Sequence, residues 1–199
     1  MPASMDSARK LMKKLILAAT LVCAGAAAQA QERAVRAVLG MGLTGGGDTL
    51  ATVVYTDGST DNIKSGGLVH VFGGAEFRLA PQLTMQATVG YHVDETSGAS
   101  NGSLRFSRYP IELLGHYHVS PQFKLGGGAR FVNNAKIDSH GVLSGARIDF
   151  DDTVGGVIEG EWMVTPSIGL KLRYVSERYK TGGISVDANH GGFYFSWYL

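Results

Sequence analysis

The chain is 199 residues long, 44% hydrophobic, and carries 18 basic and 17 acidic side chains with a single cysteine. Arg9, Lys10, Lys13, Lys14 and Asp6 fall in the first thirty residues, leaving 14 basic and 16 acidic groups and no basic run. That balance excludes a nucleic-acid footprint, and with Cys23 also in this leader, disulfides and thiol chemistry are excluded from the remainder.

At the N-terminus Lys13-Lys14 precede Leu15-Ile16-Leu17-Ala18-Ala19-Thr20-Leu21-Val22, and small residues follow to Ala28-Gln29-Ala30. A basic region, a short apolar run and an A-x-A site predict a signal peptide over 1–30, cleaved after Ala30. Met12 is a more natural initiator than Met1, because Asp6 would be out of place in a basic leader. The apolar run is shorter than the ~18 residues of a spanning helix. Val22 before Cys23 is not the small residue that a lipid anchor needs. Residues 31–199 read as one domain with no apolar run long enough for a helical span, so membrane insertion would require a barrel.

Three short turns then punctuate the chain: Ala80-Pro81-Gln82, Ser120-Pro121-Gln122 and Thr165-Pro166-Ser167. Between them lie long alternating segments interrupted by stretches rich in Gly, Asn, Ser and Asp. This rhythm predicts hairpins with short turns at one end and longer loops (44–65, 95–103, 135–147, 180–189) at the other. The strands are expected at 33–43, 66–79, 83–94, 104–119, 123–134, 149–164, 168–179 and 190–199. The fold class is therefore all-β, an eight-stranded antiparallel transmembrane β-barrel. Asp57-Gly58 is a hairpin-turn signal, so the first long loop is expected to extend as a ribbon.

Alternation assigns the faces. Leu39 and Met41, Leu83 and Val89, Ile111 and Leu113, Ile158 and Trp162, and Leu170 and Leu172 fall on the outer face, which carries no charge. The inner face carries Arg36, Glu76, Arg78, Glu112, Lys124, Arg130, Glu159, Glu161, Lys171 and Arg173. Centring each hairpin on its proline sets Glu161 opposite Lys171, Glu159 opposite Arg173, and Glu112 opposite Arg130. A paired charge is tolerated in a narrow interior where a lone one is not. Eight strands enclose a lumen that side chains can fill, so a plugged interior is expected, with Gly126, Gly128 and Gly155 relieving crowding inside.

Other chemistry is sparse. The same centring sets His70 opposite His92, with Asp94 two residues on, a set that could take a divalent metal or respond to pH. Lumen filling is the plainer reading, and it holds also for His116 and His118, which Lys124 would face. His118-Val119-Ser120 and Asp138-Ser139-His140 contain nucleophile-type residues, but nothing specifies a hydrogen-bonded triad. Tyr91, Tyr109, Tyr117, Trp162, Tyr174 and Trp197 read as interfacial girdle residues. Gly45-Gly46-Gly47 has no helix pattern behind it, so a phosphate-binding loop is not expected.

The chain ends in Gly191-Gly192-Phe193-Tyr194-Phe195-Ser196-Trp197-Tyr198-Leu199. Phe193, Phe195, Trp197 and Leu199 share one apolar face, while Gly192, Tyr194, Ser196 and Tyr198 share the other. This terminus resembles the assembly signal of bacterial outer-membrane barrels, with Leu199 where that signal usually has Phe. With the leader and the strand pattern, the chain resembles the small outer-membrane β-barrel family that includes outer-membrane protein X and the membrane domain of outer-membrane protein A. The resemblance implies short periplasmic turns, extracellular loops, and contact with outer-membrane lipids, lipopolysaccharide and the barrel assembly machinery. The expected role is non-enzymatic, structural or surface-interacting through the loops, for a monomer without cofactor. A narrow channel for small solutes and a lipid A-modifying enzyme remain the alternatives, and a soluble β-sandwich is the structural rival.

Overall fold

Strand-forming alternation and three proline turns make most of this architecture local. The computed structural model describes residues 34–54, 60–97, 103–140 and 147–199. The expected signal peptide, the Met12 start and the Asp57-Gly58 turn lie outside the described residues. In chain order the elements are β1 (Val35–Gly46), β2 (Thr49–Val54), β3 (Thr60–Lys64), β4 (Leu68–Ala80), β5 (Leu83–Ser97), β6 (Ser103–Ser120) and β7 (Phe123–His140). There follow β8 (Arg147–Asp149), β9 (Thr153–Thr165), β10 (Ile168–Ser176), β11 (Arg178–Thr181), β12 (Ile184–Asp187) and β13 (His190–Tyr198).

Strands β1, β4, β5, β6, β7, β9, β10 and β13 each pair antiparallel with the next, and β13 pairs back onto β1 to close the wall. The hairpin registers are centred on the prolines, as far as the bulge beside each turn allows. Glu161 lies opposite Lys171, Glu112 opposite Arg130, and His70 opposite His92. Apolar side chains stand outward, with Val154 and Ile158 both 65% exposed, whereas Glu159 and Glu161 on the same strand are buried. The apolar face looks to lipid and the polar face to the lumen.

At the long-loop end this arrangement inverts. Asn134 takes a left-handed conformation (φ 52°), which a short amide side chain tolerates, and it reverses the phase of β7. Below it Arg130 and Val132 are buried and Phe131 is exposed; above it Ala135 and Ile137 are buried while Lys136 and Asp138 are partly exposed. Strand β6 keeps its phase but changes chemistry, from Glu112 and Arg108 inside to Phe106. Above the lumen these residues meet Ile63, Phe150, Tyr179 and Ala188 in an apolar cluster like the core of a soluble domain.

This cap corrects four sequence expectations. The expected loop 135–147 is strand as far as His140, and β8 adds to its edge. The expected strand 149–164 begins only at Thr153, with Phe150 turned into the cluster. The expected strand 168–179 ends at Ser176, and the expected loop 180–189 folds with Arg178 as the β11–β12 ribbon. In each place an apolar side chain required burial away from lipid, which a solvated loop cannot give. Phe106 packs edge-on to Phe150 and to Tyr179 at 5.7 Å each. Phe106→Ala is therefore expected to cost about 3–5 kcal/mol of cap stability. Proteolysis within β2–β3 and β11–β12 should accelerate, while the wall strands below stay protected.

Candidate functional site: a filled lumen beneath an apolar cap

The lumen is crossed by one alternating chain of opposite charges. Starting near the proline turns, Arg36 pairs with Glu76. Lys124 Nζ then bridges Glu76 Oε2 at 2.7 Å and Glu161 Oε2 at 3.0 Å. Lys171 Nζ lies 3.6 Å from Glu161 and 3.0 Å from Glu159. Arg173 donates to Glu159 Oε2 at 2.7 Å and to Glu112 Oε2 at 2.8 Å. Arg130 continues to Glu112 at 2.6 Å and Glu177 Oε2 at 3.0 Å, and Arg108 closes the series 3.9 Å from Glu177. Each charge between the two ends touches the opposite sign on two sides, which offsets the desolvation that an isolated pair would suffer.

Polar and aromatic side chains complete the plug. Tyr198 donates its hydroxyl to Glu161 at 2.8 Å, and Lys124 lies 4.4 Å over its ring. Arg173 lies 4.7 Å over the Tyr194 ring. Glycines face these bulky groups: a Cβ at Gly126 would lie 2.3 Å from the His116 ring, and one at Gly169 2.0 Å from Glu161 Oε1. Among the described residues, the room that Gly126 and Gly169 open is occupied by the facing His116 and Glu161 side chains.

The six residues expected as ion pairs, Glu112, Arg130, Glu159, Arg173, Glu161 and Lys171, all lie in this series, but as members of a ladder rather than as three separate pairs. Sequence reasoning missed Arg108, Glu177, His190 and the bridging Tyr198. A signal existed for two of them: Arg108 shares the even phase of Glu112 on β6, and Glu177 extends the odd phase of Lys171 and Arg173. At the cap, burial alone would raise the Glu177 carboxyl, but Arg130 and Arg108 beside it hold it below the ordinary carboxylate value. Burial pushes the Tyr179 hydroxyl up, and it donates to Glu177 at 2.8 Å.

His70, His92 and Asp94, the set that could have taken a metal, are engaged otherwise. His70 and His92 stack at 5.0 Å, but Arg108 and Arg130 donate to His92, and Asp94 accepts the backbone N–H of Lys64 at 2.9 Å. A different trio, His116, Glu159 and Glu161, brings its ligand atoms within 4.8 Å of one another. It does not fit a metal either: the ammonium groups of Lys171 and Lys124 already sit on these carboxylates, where a cation would stand. His116 Nε2 meets Glu159 at 2.7 Å, and His118 meets the Thr84 hydroxyl at 3.2 Å. Ser120 accepts the N–H groups of Gln122 and Phe123, so its hydroxyl caps the turn. On the lipid face Tyr91 and Tyr109 pack at 5.2 Å towards the loop end, and Tyr117 and Trp162 stand exposed towards the turn end.

A closed antiparallel wall with an apolar outside and a charged, filled inside defines a small transmembrane β-barrel protein. The chain belongs to the outer membrane protein beta-barrel domain family, which matches residues 15–197. Among solved structures it resembles Ail, the attachment invasion locus protein of Yersinia pestis, in complex with the heparin analogue sucrose octasulfate. That likeness has a TM-score of 0.54 at 9% identity, covering 83% of this chain and 97% of that one. A second crystal structure of Ail gives a TM-score of 0.51 at the same identity and coverage. Neisserial surface protein A gives 0.49 at 12% identity, covering 84% of this chain and 97% of that one. No curated protein matches the sequence. Outer-membrane barrels keep their short turns on the periplasmic side and their longer connections outside, so the cap is the extracellular end.

Proposed function

We propose that this is a non-enzymatic protein of the bacterial outer membrane that presents its folded cap as a surface-interaction platform and passes no solute. The observation that carries the reading is the unbroken plug from Arg36 to Arg108, sealed by the apolar cluster around Phe106. The ribbons above the membrane are held to each other: Ser65 Oγ donates to Asp48 O and Asp187 O, and Asp48 Oδ2 accepts the N–H of Asp187. A preformed platform spares a partner the ordering cost that free loops would impose. On this reading residues 1–30 direct export, and lipid, lipopolysaccharide and the assembly machinery are the partners of the wall.

The sequences above the membrane carry more acids, among them Asp48, Asp149, Asp151, Asp152 and Asp187, than bases such as Lys64, Arg178 and Lys180. That balance favours a neutral or basic partner over a polysulfate of the kind bound to Ail. Planar-bilayer recording tests the closed lumen. No discrete openings are expected at 100 mV, and reproducible single-channel steps would favour the channel alternative. Lipid A recovered from cells with and without the protein should have the same mass; a shifted acyl pattern would overturn the non-enzymatic assignment.

A further inference from the structure

Where the lumen meets the cap, three imidazoles lie ring to ring. His92 is 5.0 Å from His70 and 5.2 Å from His190, and all three are buried. Arg108 and Arg130 reach His92 Nδ1 at 2.8 and 3.1 Å. A guanidinium has only donors, so Nδ1 accepts the shorter contacts and His92 is neutral; its Nε2–H faces Thr44 Oγ1 at 2.8 Å, nearer than the Arg108 nitrogen at 3.2 Å. The same Arg108 holds the cap: it donates to the Ser65 carbonyl and lies 4.8 Å over Phe106 and 5.8 Å over Tyr179.

We propose that His92 and its two imidazole neighbours form an acid-sensitive latch that joins the extracellular cap to the lumen through Arg108. A proton on His92 Nδ1 removes the acceptor that Arg108 uses and sets an imidazolium against two guanidinium groups. The surroundings cannot absorb that charge. His70 and His190 are themselves bases, and Arg173 stands beyond Tyr194. The nearest acids are committed: Glu177 holds Arg130 and Tyr179, with Arg108 and His190 Nδ1 at 3.9 and 3.8 Å, and Asp94 caps Lys64 N. Arg130 is held by Glu112 and Glu177 at 2.6 and 3.0 Å, whereas the nearest carboxylate contact of Arg108 is 3.9 Å, so Arg108 is the group that yields, and Ser65, Phe106 and Tyr179 lose their pin when it does. The transition belongs below about pH 6.5, where free imidazole takes up its proton. Glu177 does not produce it. Its folded-state value lies below the unfolded one, so its stabilisation is complete above the ordinary carboxylate range and is lost only below that range.

Hydrogen exchange read by mass spectrometry on the folded protein in detergent tests this at pH 7.5 and 5.5, with rates corrected for intrinsic exchange. Amides of β2, β3, β11 and β12 are expected to exchange at least tenfold faster at pH 5.5, while β9 and β10 do not change. In His92→Gln, whose amide keeps an acceptor and a donor but does not titrate, the acid-induced loss of cap protection should be clearly smaller than in the wild type, with His70 and His190 accounting for what is left. Equal wild-type protection at both pH values, a uniform loss over the whole barrel, or the same acid response in His92→Gln would each overturn the latch. Should His92→Gln not fold, His190→Gln removes one base and leaves the Arg108 contact. It is expected to move the transition to a different pH, and an unmoved transition would count against the proposal.

Discussion

Glu159→Lys is expected to destabilise the barrel by about 3–5 kcal/mol, the cost of breaking a buried charged contact, and in the cell to reduce the folded fraction. Glu159 is the acceptor for Lys171 at 3.0 Å, Arg173 at 2.7 Å and His116 at 2.7 Å. Reversal sets a fourth basic group among these three buried ones inside the wall. The denaturant midpoint of folding into detergent or lipid, followed by the heat-dependent gel shift typical of such barrels, measures the loss. A simple pair would be rescued by reversing the partner as well. Here Arg173 also donates to Glu112 at 2.8 Å. Arg173→Glu on the Glu159→Lys background therefore sets two carboxylates together and leaves the new lysine beside Lys171. Rescue is expected to be partial at best, and a full return to wild-type stability would contradict the ladder.

The neighbouring residue gives the second large effect for the opposite reason. Ile158 stands on the lipid face, between Gly127 on β7 and Tyr174 on β10, halfway along β9. Ile158→Arg is expected to cost about 2–4 kcal/mol, the depth-dependent penalty of a cation on the lipid face near mid-bilayer. The same change at Val164, near the periplasmic edge of β9, should cost about 0–1 kcal/mol, because the charge reaches the interface. Equal costs at the two positions would place the bilayer differently on the wall. Ile158 and Glu159 thus test the two faces of one strand.

The wall was legible because each of its determinants is local. Alternation with period two requires only that one face of a strand meets lipid and the other does not. Each proline turn sets the register of its hairpin, so Glu112 opposite Arg130 follows from counting outward from Pro121. The cap was not legible by the same rule. Phe106, Ile137 and Phe150 continue an apolar pattern past the membrane boundary, where a lipid-facing reading no longer applies, and Asn134 reverses the phase of β7 without a marker distinct from any polar loop residue. The second partner of each charge was also hidden. Glu76 meets Lys124, and Arg130 meets Glu177, across the lumen between strands that share no turn.

By itself, then, the sequence determined the strands of the wall, their inward and outward faces, the hairpin registers and the family resemblance, because these depend on side-chain period and turn chemistry within one hairpin. Only the tertiary structure decided that paired charges become a continuous ladder, that the long loops fold over an apolar core, and that Arg108 ties the two together. Those contacts form between strands far apart in the chain, and they exist only once β13 has closed on β1 and brought opposite walls of the lumen within reach of a side chain.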